Sequence, residues 1–168
     1  IDYRAGEAML VDWAGDTLSV VNGHTGEPWE LEQFVAILGA SQLTYVEARE
    51  SQKEEEWIRA NEGALKYFGG STEALIPDNT ATAVSHPDRY EPGINPVFDD
   101  FARHYGLVIM PTRVRHPRDK ALVEGAVNLV YQRISSRMAG RVFSSLAQVN
   151  TAIRELLDAH NSRPFNRL

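Results

Sequence analysis

Ala8-Met-Leu-Val-Asp-Trp-Ala-Gly15 and Asp16-Thr-Leu-Ser-Val-Val-Asn22 are two consecutive apolar runs rich in residues that favour β-strands. Gly15 and Asp16 between them are typical of a tight hairpin turn, so the two runs are predicted to be the first two strands of a sheet. Asp12 lies inside the first run, where a carboxylate is costly unless it is paired or bound to a cation. The alternative is an edge-strand aspartate that faces solvent.

The rest of the chain alternates between strand and helix patterns. Further strands are predicted at 30–40, 43–48, 73–78 and 107–110. Helices are predicted from a capping box of Ser51 and Glu54 to Gly69-Gly70, over 95–105, over 120–138 after the N-cap Asp119, and over 145–160. The proline-rich segment 85–96 is predicted to be a loop. This order predicts a single α/β domain over 1–168, with a mixed sheet of about five strands flanked by helices.

The composition excludes several classes of site. Because the chain has no cysteine, disulfides, thiolate nucleophiles and cysteine zinc sites are ruled out. No run approaches the ~20 apolar residues that span a bilayer, and residues 1–6 lack the apolar core of a signal peptide. With 43% hydrophobic and 24% charged residues, the chain is expected to be a soluble globular protein of a reducing cytoplasm.

Charge is segregated along the chain, although the net charge of −6 taken alone argues against a nucleic-acid partner. Residues 1–102 carry −13, residues 103–141 carry +6 and residues 142–168 carry +1. The basic segment is therefore the candidate for contact with phosphates, and the alternative is that acidic and basic helices simply have solvated faces.

Asp12, Asp78 and Glu124 are the candidate catalytic residues and metal ligands. Asp78 ends a predicted strand, where α/β sheets place functional groups, and Glu124 lies in the second turn of a predicted helix. Taken singly, Asp78 is also explained as a helix N-cap and Glu124 as an ordinary surface residue. Together, carboxylates from two strands and a packed helix can converge to hold two divalent cations for phosphoryl transfer.

Three segments carry a resemblance to a known family: Val11-Asp12-Trp13-Ala14-Gly15, Pro77-Asp78-Asn79 and Asp119-Lys-Ala-Leu-Val-Glu124-Gly-Ala-Val127. They resemble the three catalytic motifs of DDE transposases of the IstA type, found in bacterial insertion sequences. The tail His160-Asn-Ser-Arg-Pro-Phe165 resembles the segment that follows the core in this family. The likeness covers nearly the whole chain, and the third segment is the most specific.

The resemblance implies an RNase H-like catalytic (integrase-core) domain in which Asp12, Asp78 and Glu124 bind two Mg²⁺ ions, with Mn²⁺ as a substitute. It further implies nicking of transposon ends, transfer of the freed 3′ end to target DNA, a homo-oligomer on DNA and an ATPase partner that selects the target. The expected place is the bacterial cytoplasm, on the nucleoid when DNA is bound.

The sequence departs from the family pattern in two respects. Thr80-Ala-Thr82 follows Asn79 where the family continues with Leu-Lys, which puts one basic contact in doubt. The helix-turn-helix region expected before the core and the β-barrel expected after it are absent. The chain is therefore predicted to be a fragment, with the last helix and tail from about 145 leading towards a C-terminal domain.

The basic residues Arg113, Arg115, His116, Arg118 and Lys120 directly precede Glu124 and are predicted to grip DNA phosphates at the mouth of the metal site, the alternative being a solvated loop. Two rival functions stay open. One is a nuclease of the same fold without strand transfer. The other is a noncatalytic DNA-binding or assembly module whose carboxylates are structural.

Overall fold

The computed structural model describes residues 3–77, 96–110 and 117–162. Within them, seven strands form one mixed sheet: β1 Ala8–Trp13, β2 Leu18–Asn22, β3 Pro28–Leu38, β4 Thr44–Arg49, β5 Ala74–Pro77, β6 Val108–Ile109 and β7 Val142–Phe143. The helices are α1 Glu54–Phe68, α2 Pro96–Tyr105, α3 Pro117–Val130, α4 Ser136–Met138 and α5 Leu146–Asn161, and the π-helical turn Tyr131–Ser135 joins α3 to α4. None of these helices combines the length and apolar character needed to cross a bilayer.

The sheet is built around the long strand β3. Residues 34–37 of β3 pair antiparallel with both β1 and β4, so these two strands lie on opposite edges of β3. β5 lies parallel beside β1, and β6 lies parallel beside β5. The predicted mixed sheet flanked by helices is confirmed. It has seven strands instead of about five, because all six predicted strand segments join the sheet and the short β7 adds to β2. Of the predicted loop 85–96, residues 85–95 lie outside the described residues, and Pro96 is the first residue of α2.

The predicted hairpin between the first two strands is wrong. β1 and β2 run in the same direction along one edge of β3, because β1 ends opposite Phe34 and β2 begins opposite Leu31. Residues 14–17 therefore lie opposite only residues 32 and 33, and they form a bulge with two extra residues. Gly15 does not adopt the positive φ that a tight hairpin turn would require. Pairing with β3 thus outweighed a local turn preference.

Helix α1 starts later than its sequence predicts. The predicted capping box is wrong, since the Ser51 hydroxyl accepts the Lys53 N–H at 3.3 Å and α1 begins at Glu54 without a side-chain cap. Its first turn is acidic, as expected near a helix N-terminus, and Glu56 pairs with Arg49 of β4 at 2.9 Å. The predicted end is confirmed, because Gly69 takes the left-handed conformation with φ 82°.

Helices α1 and α2 cover one face of the sheet through aromatic packing. Trp57 of α1 contacts Trp13, Phe34 and Phe98, with ring centroids 5.4 to 5.7 Å apart. Trp13 is therefore a core residue. Such aromatic side chains bury large apolar areas, so this cluster fixes α1 and α2 against β1 and β3.

Two asparagines of α5 cover the free edge of β4. Asn150 accepts the Ala48 N–H at 2.7 Å and donates to the Ala48 carbonyl at 3.0 Å. Asn161 makes the same pair of bonds with Thr44, at 3.0 and 2.8 Å. A side-chain amide offers one donor and one acceptor, so each asparagine replaces one residue of a neighbouring strand. The edge is thereby protected from pairing with another chain.

Candidate functional site

Asp12 lies one residue before the end of β1. It pairs with Val35 of β3, is partly exposed, and is the only acidic residue of the strand. Its neighbour Trp13 points to the face that α1 covers, with the Trp57 ring 5.7 Å away. Because successive residues of a strand point to opposite faces, Asp12 points to the other face of the sheet.

Helix α3 packs on that other face. Ile37 of β3 is the register partner of Leu10, which shares a face with Asp12. Ile37 lines a cavity together with Ala121 and Gly125 of α3. Helix α3 also contacts β1 itself. Asp12 and α3 therefore lie on the same side of the sheet.

Glu124 is exposed on α3, next to the stripe that anchors the helix. Val123, Ala126 and Val130 are buried at 4%, 3% and 1% exposure and form the core-facing stripe of the helix. Helix α3 begins at Pro117, so the predicted N-cap role of Asp119 is wrong. Pro is favoured as a first helical residue, and the buried carboxylate of Asp119 instead accepts a hydrogen bond from the Tyr3 hydroxyl.

Asp78 lies outside the described residues, but the residue before it does not. Pro77 is the last residue of β5 and the register partner of Val11, which precedes Asp12. The two predicted aspartates thus follow directly from paired positions on neighbouring parallel strands. Among the residues that the structure describes, no three His, Asp or Glu side chains are gathered closely enough to hold a metal ion.

The predicted basic cluster is described only in part. Arg118 and Lys120 are exposed in the first turn of α3, and Lys120 lies one turn before Glu124. Arg113, Arg115 and His116 lie outside the described residues. The two described side chains are therefore on the same helix as Glu124 and open to solvent, which fits contact with a charged ligand.

Sequence reasoning missed the role of Tyr131 and the π-helical turn that it starts. The Tyr131 hydroxyl accepts the Asp16 N–H at 2.5 Å and donates to the Asp16 carbonyl at 3.2 Å. Burial is the main cause that raises the pKa of Tyr131, so the hydroxyl keeps its proton at neutral pH. The available signal was a tyrosine two turns after Glu124 in a helical segment whose other apolar residues are aliphatic.

Comparison with known proteins gives strong matches to one kind of protein. The chain is 45% identical over 166 residues to a protein assigned as a transposase for insertion sequence IS1162 of Pseudomonas fluorescens. It is 42% identical over 166 residues to one assigned to IS408 of Burkholderia multivorans. Each match covers 99% of this chain but only 30% and 32% of the relative, so the chain spans about a third of their length. The chain matches no protein-family model.

The fold also matches a solved structure. The catalytic core domain of BIV integrase superposes with a TM-score of 0.64 at 12% identity, over 96% of this chain and 88% of that one. At so low an identity, the likeness establishes the fold alone. The predicted RNase H-like fold is thereby confirmed.

Proposed function

Because this chain belongs to the family of bacterial insertion-sequence transposases, we propose that it is the catalytic core of such an enzyme, a polynucleotidyl transferase that cuts and joins DNA. The proposal is carried by one observation. Asp12 points to the sheet face on which α3 packs, and α3 bears Glu124.

The pairing of β5 with β1 supports Asp78 as the third member of the site. Consecutive Cα atoms are about 3.8 Å apart, so the peptide bond keeps the Cα atom of Asp78 next to that of Pro77. Pro77 is itself paired with Val11, the residue before Asp12. We therefore propose that two strand-end aspartates and Glu124 from the covering helix converge on one site.

The donor chemistry fits a pair of Mg²⁺ ions, with Mn²⁺ as a substitute. Carboxylate oxygens are the hard ligands that Mg²⁺ prefers, and Asp12 and Glu124 both retain access to solvent. When bound, such a pair supplies charge stabilisation for the attacking and the leaving oxygens of an in-line displacement. The three carboxylates would hold the ions, and with two metals His116 would not be needed as a general base.

We propose two successive displacements at this site. Water attacks a phosphodiester at the transposon end, and the bond to the 3′ oxygen breaks to free a 3′ hydroxyl. That hydroxyl then attacks a phosphodiester of target DNA and forms a new bond to phosphorus, while the bond from that phosphorus to the target strand's own 3′ oxygen breaks and this oxygen leaves as a hydroxyl. Both steps displace an oxygen at phosphorus, so one set of carboxylates serves both in turn.

A joining assay tests the proposal and separates it from its rivals. Full-length protein is incubated with Mg²⁺, pre-nicked end DNA and a labelled target duplex. A transposase links the 3′ end covalently to the target, which is seen as a longer product on a denaturing gel. Shortened DNA without joined product indicates a nuclease, and unchanged DNA, with a melting temperature that Mn²⁺ does not raise, indicates a noncatalytic module. Either of these results overturns the proposal.

Arg118 and Lys120 are proposed to contact DNA phosphates together with Arg113, Arg115 and His116. Each phosphate contact releases counterions, so Lys120→Ala is expected to weaken binding to any duplex and to reduce the slope of log K against log salt by about 1. Fluorescence anisotropy at several salt concentrations measures this slope. Arg59→Ala is the matched control, because Arg59 is an exposed cation on α1 that pairs with Glu55 at 3.0 Å. An unchanged slope for Lys120→Ala excludes the contact.

The family also suggests partners and a setting. We propose a homo-oligomer that assembles on transposon ends, an ATPase that selects the target, and action on the nucleoid in the bacterial cytoplasm. Light scattering of the full-length protein with and without end DNA tests the assembly. A mass that corresponds to one protein per DNA end, with no higher species, would contradict it.

A further inference from the structure

The 14–17 bulge interrupts the strand edge immediately after Asp12. The Ala14 N–H still bonds to the Gln33 carbonyl at 2.8 Å, and the next β2–β3 pair begins at Leu18. Residues 15–17 between them are exposed. Bulges of this kind bend a strand and re-aim its side chains, often beside active sites. The direction in which the Asp12 side chain points therefore depends on the contacts that fix the bulge.

The π-helical turn after α3 forms hydrogen bonds both to the bulge and to the residue of β3 opposite it. At its start, Tyr131 bonds to both backbone polar groups of Asp16 through one hydroxyl. At its end, the Ser135 hydroxyl donates to the side-chain carbonyl of Gln33 at 2.9 Å, and Gln33 lies opposite the bulge and is fully buried. Single π-helical turns inside α-helices occur frequently at functional sites.

Tyr131 and Glu124 belong to the same helical segment. They are seven residues apart, which is nearly two turns, so they lie on the same side of the helix. Tyr131 on that side reaches the chain that follows β1. The same helical segment therefore carries Glu124, one proposed metal ligand, and the Tyr131 hydroxyl. That hydroxyl bonds to the chain just after Asp12, the other proposed ligand.

We propose that Tyr131 is a positioning residue that sets the spacing between Asp12 and Glu124 by clamping the 14–17 bulge. The inference rests on the proposed function, because it names a support for that same site. Its contact is with the backbone of Asp16, so the identity of the Asp16 side chain is immaterial to the clamp.

Loss of the contacts between Tyr131 and Asp16 is expected to lower metal affinity and reaction rate without unfolding the domain. Metal and reactant geometry must be held within about 0.5 Å, and an error of about 1 Å costs on the order of 10²-fold in rate. Residues that orient metal ligands without touching the metal typically change metal affinity or activity about 10- to 100-fold when they are replaced.

Tyr131→Phe tests the inference, because it removes only the hydroxyl. Mn²⁺ binding to the 168-residue chain is measured by calorimetry, and Asp16 amide exchange by NMR. We expect Kd for Mn²⁺ to rise about 10-fold and the Asp16 amide to exchange faster. In the full-length protein, kcat for strand joining should fall about 10- to 100-fold while KM for DNA stays within about twofold.

Two matched variants serve as controls. Tyr105→Phe removes an exposed hydroxyl of α2 that bonds to Glu62 of α1 at 3.3 Å, and it should leave Kd for Mn²⁺ unchanged. Asp16→Asn keeps the backbone groups that Tyr131 holds and should also bind Mn²⁺ as the parent does. A loss of Mn²⁺ binding in Asp16→Asn would instead assign Asp16 as a ligand and overturn the inference. Should Tyr131→Phe fail to fold, Ser135→Ala removes the other grip of the π-helical turn and is expected to raise Kd in the same direction.

The possible failures are distinguishable. If the parent binds Mn²⁺ and Tyr131→Phe binds it equally tightly, the clamp is excluded and the proposed function stands. If the parent chain binds no Mn²⁺ and the full-length protein joins no DNA, the proposed function fails and this inference fails with it.

Discussion

Asp12→Asn is expected to lower DNA cleavage and strand joining by about 10³-fold or more, since a lost metal ligand removes several kcal/mol of transition-state stabilisation at 1.36 kcal/mol per tenfold. The change keeps the size of the side chain but removes its negative charge. Rates are measured under single-turnover conditions with pre-nicked and intact end DNA, so that binding and chemistry are separated.

Metal-dependent melting gives the same test without DNA. A ligand at 100 times its Kd stabilises a protein by about 2.7 kcal/mol, which for this size corresponds to a rise in Tm of roughly 5–10 °C. Mn²⁺ should produce this rise in the parent but not in Asp12→Asn. Asp16→Asn is the control and should show the same rise as the parent, because it removes an exposed carboxylate only four residues after Asp12. If Asp12→Asn raises Tm in the absence of metal and Mn²⁺ has no effect on the parent, Asp12 has a structural role and the catalytic assignment fails.

Asn150→Leu is expected to cost about 2–4 kcal/mol of folding free energy, because it leaves two buried backbone groups without hydrogen bonds at about 1–3 kcal/mol each. Ala48, which supplies both groups, is fully buried, so water cannot replace the lost bonds. Chemical denaturation followed by circular dichroism measures the free energy of unfolding, and Tm should fall by roughly 5–15 °C.

The matched control for this variant is Asn128→Leu. Asn128 is exposed on α3, and an exposed substitution away from caps and turns usually changes stability by about 0.5 kcal/mol or less. Light scattering adds a second readout, because an uncovered β4 edge can pair with another chain. Equal stabilities of Asn150→Leu and Asn128→Leu would show that the asparagine bridges do not stabilise the edge.

The proposed site shows how one residue type serves different purposes in different settings. Asp12, Asp16 and Asp119 are aspartates on β1, on the 14–17 bulge and on α3. Asp12 is partly exposed at a strand end, Asp119 is buried and bonded to the Tyr3 hydroxyl, and Asp16 offers its backbone to Tyr131. Burial and partners, rather than charge alone, separate a candidate metal ligand from a structural group.

The resemblance of three motifs to a known family singled out Asp12, Asp78 and Glu124 as candidate carboxylates. The sequence alone determined the order of strands and helices and the mixed α/β class. These features are local, because alternating apolar residues define a strand and a stripe at helical spacing defines α3 whatever surrounds them. The C-terminal glycine of α1 was predictable for the same reason, since a left-handed φ favours glycine.

Only the tertiary structure decided the course of the chain after Asp12. Gly15 and Asp16 have a local preference for a hairpin turn. The 11 residues of β3 pair with both β1 and β2, however, so the chain continues in the same direction through a bulge. Partners distant in sequence, such as Tyr131 for Asp16 and Asn150 for Ala48, are likewise invisible to local patterns. Their hydrogen bonds form only after the sheet has brought the two segments together, and for that reason periodicity could not predict them.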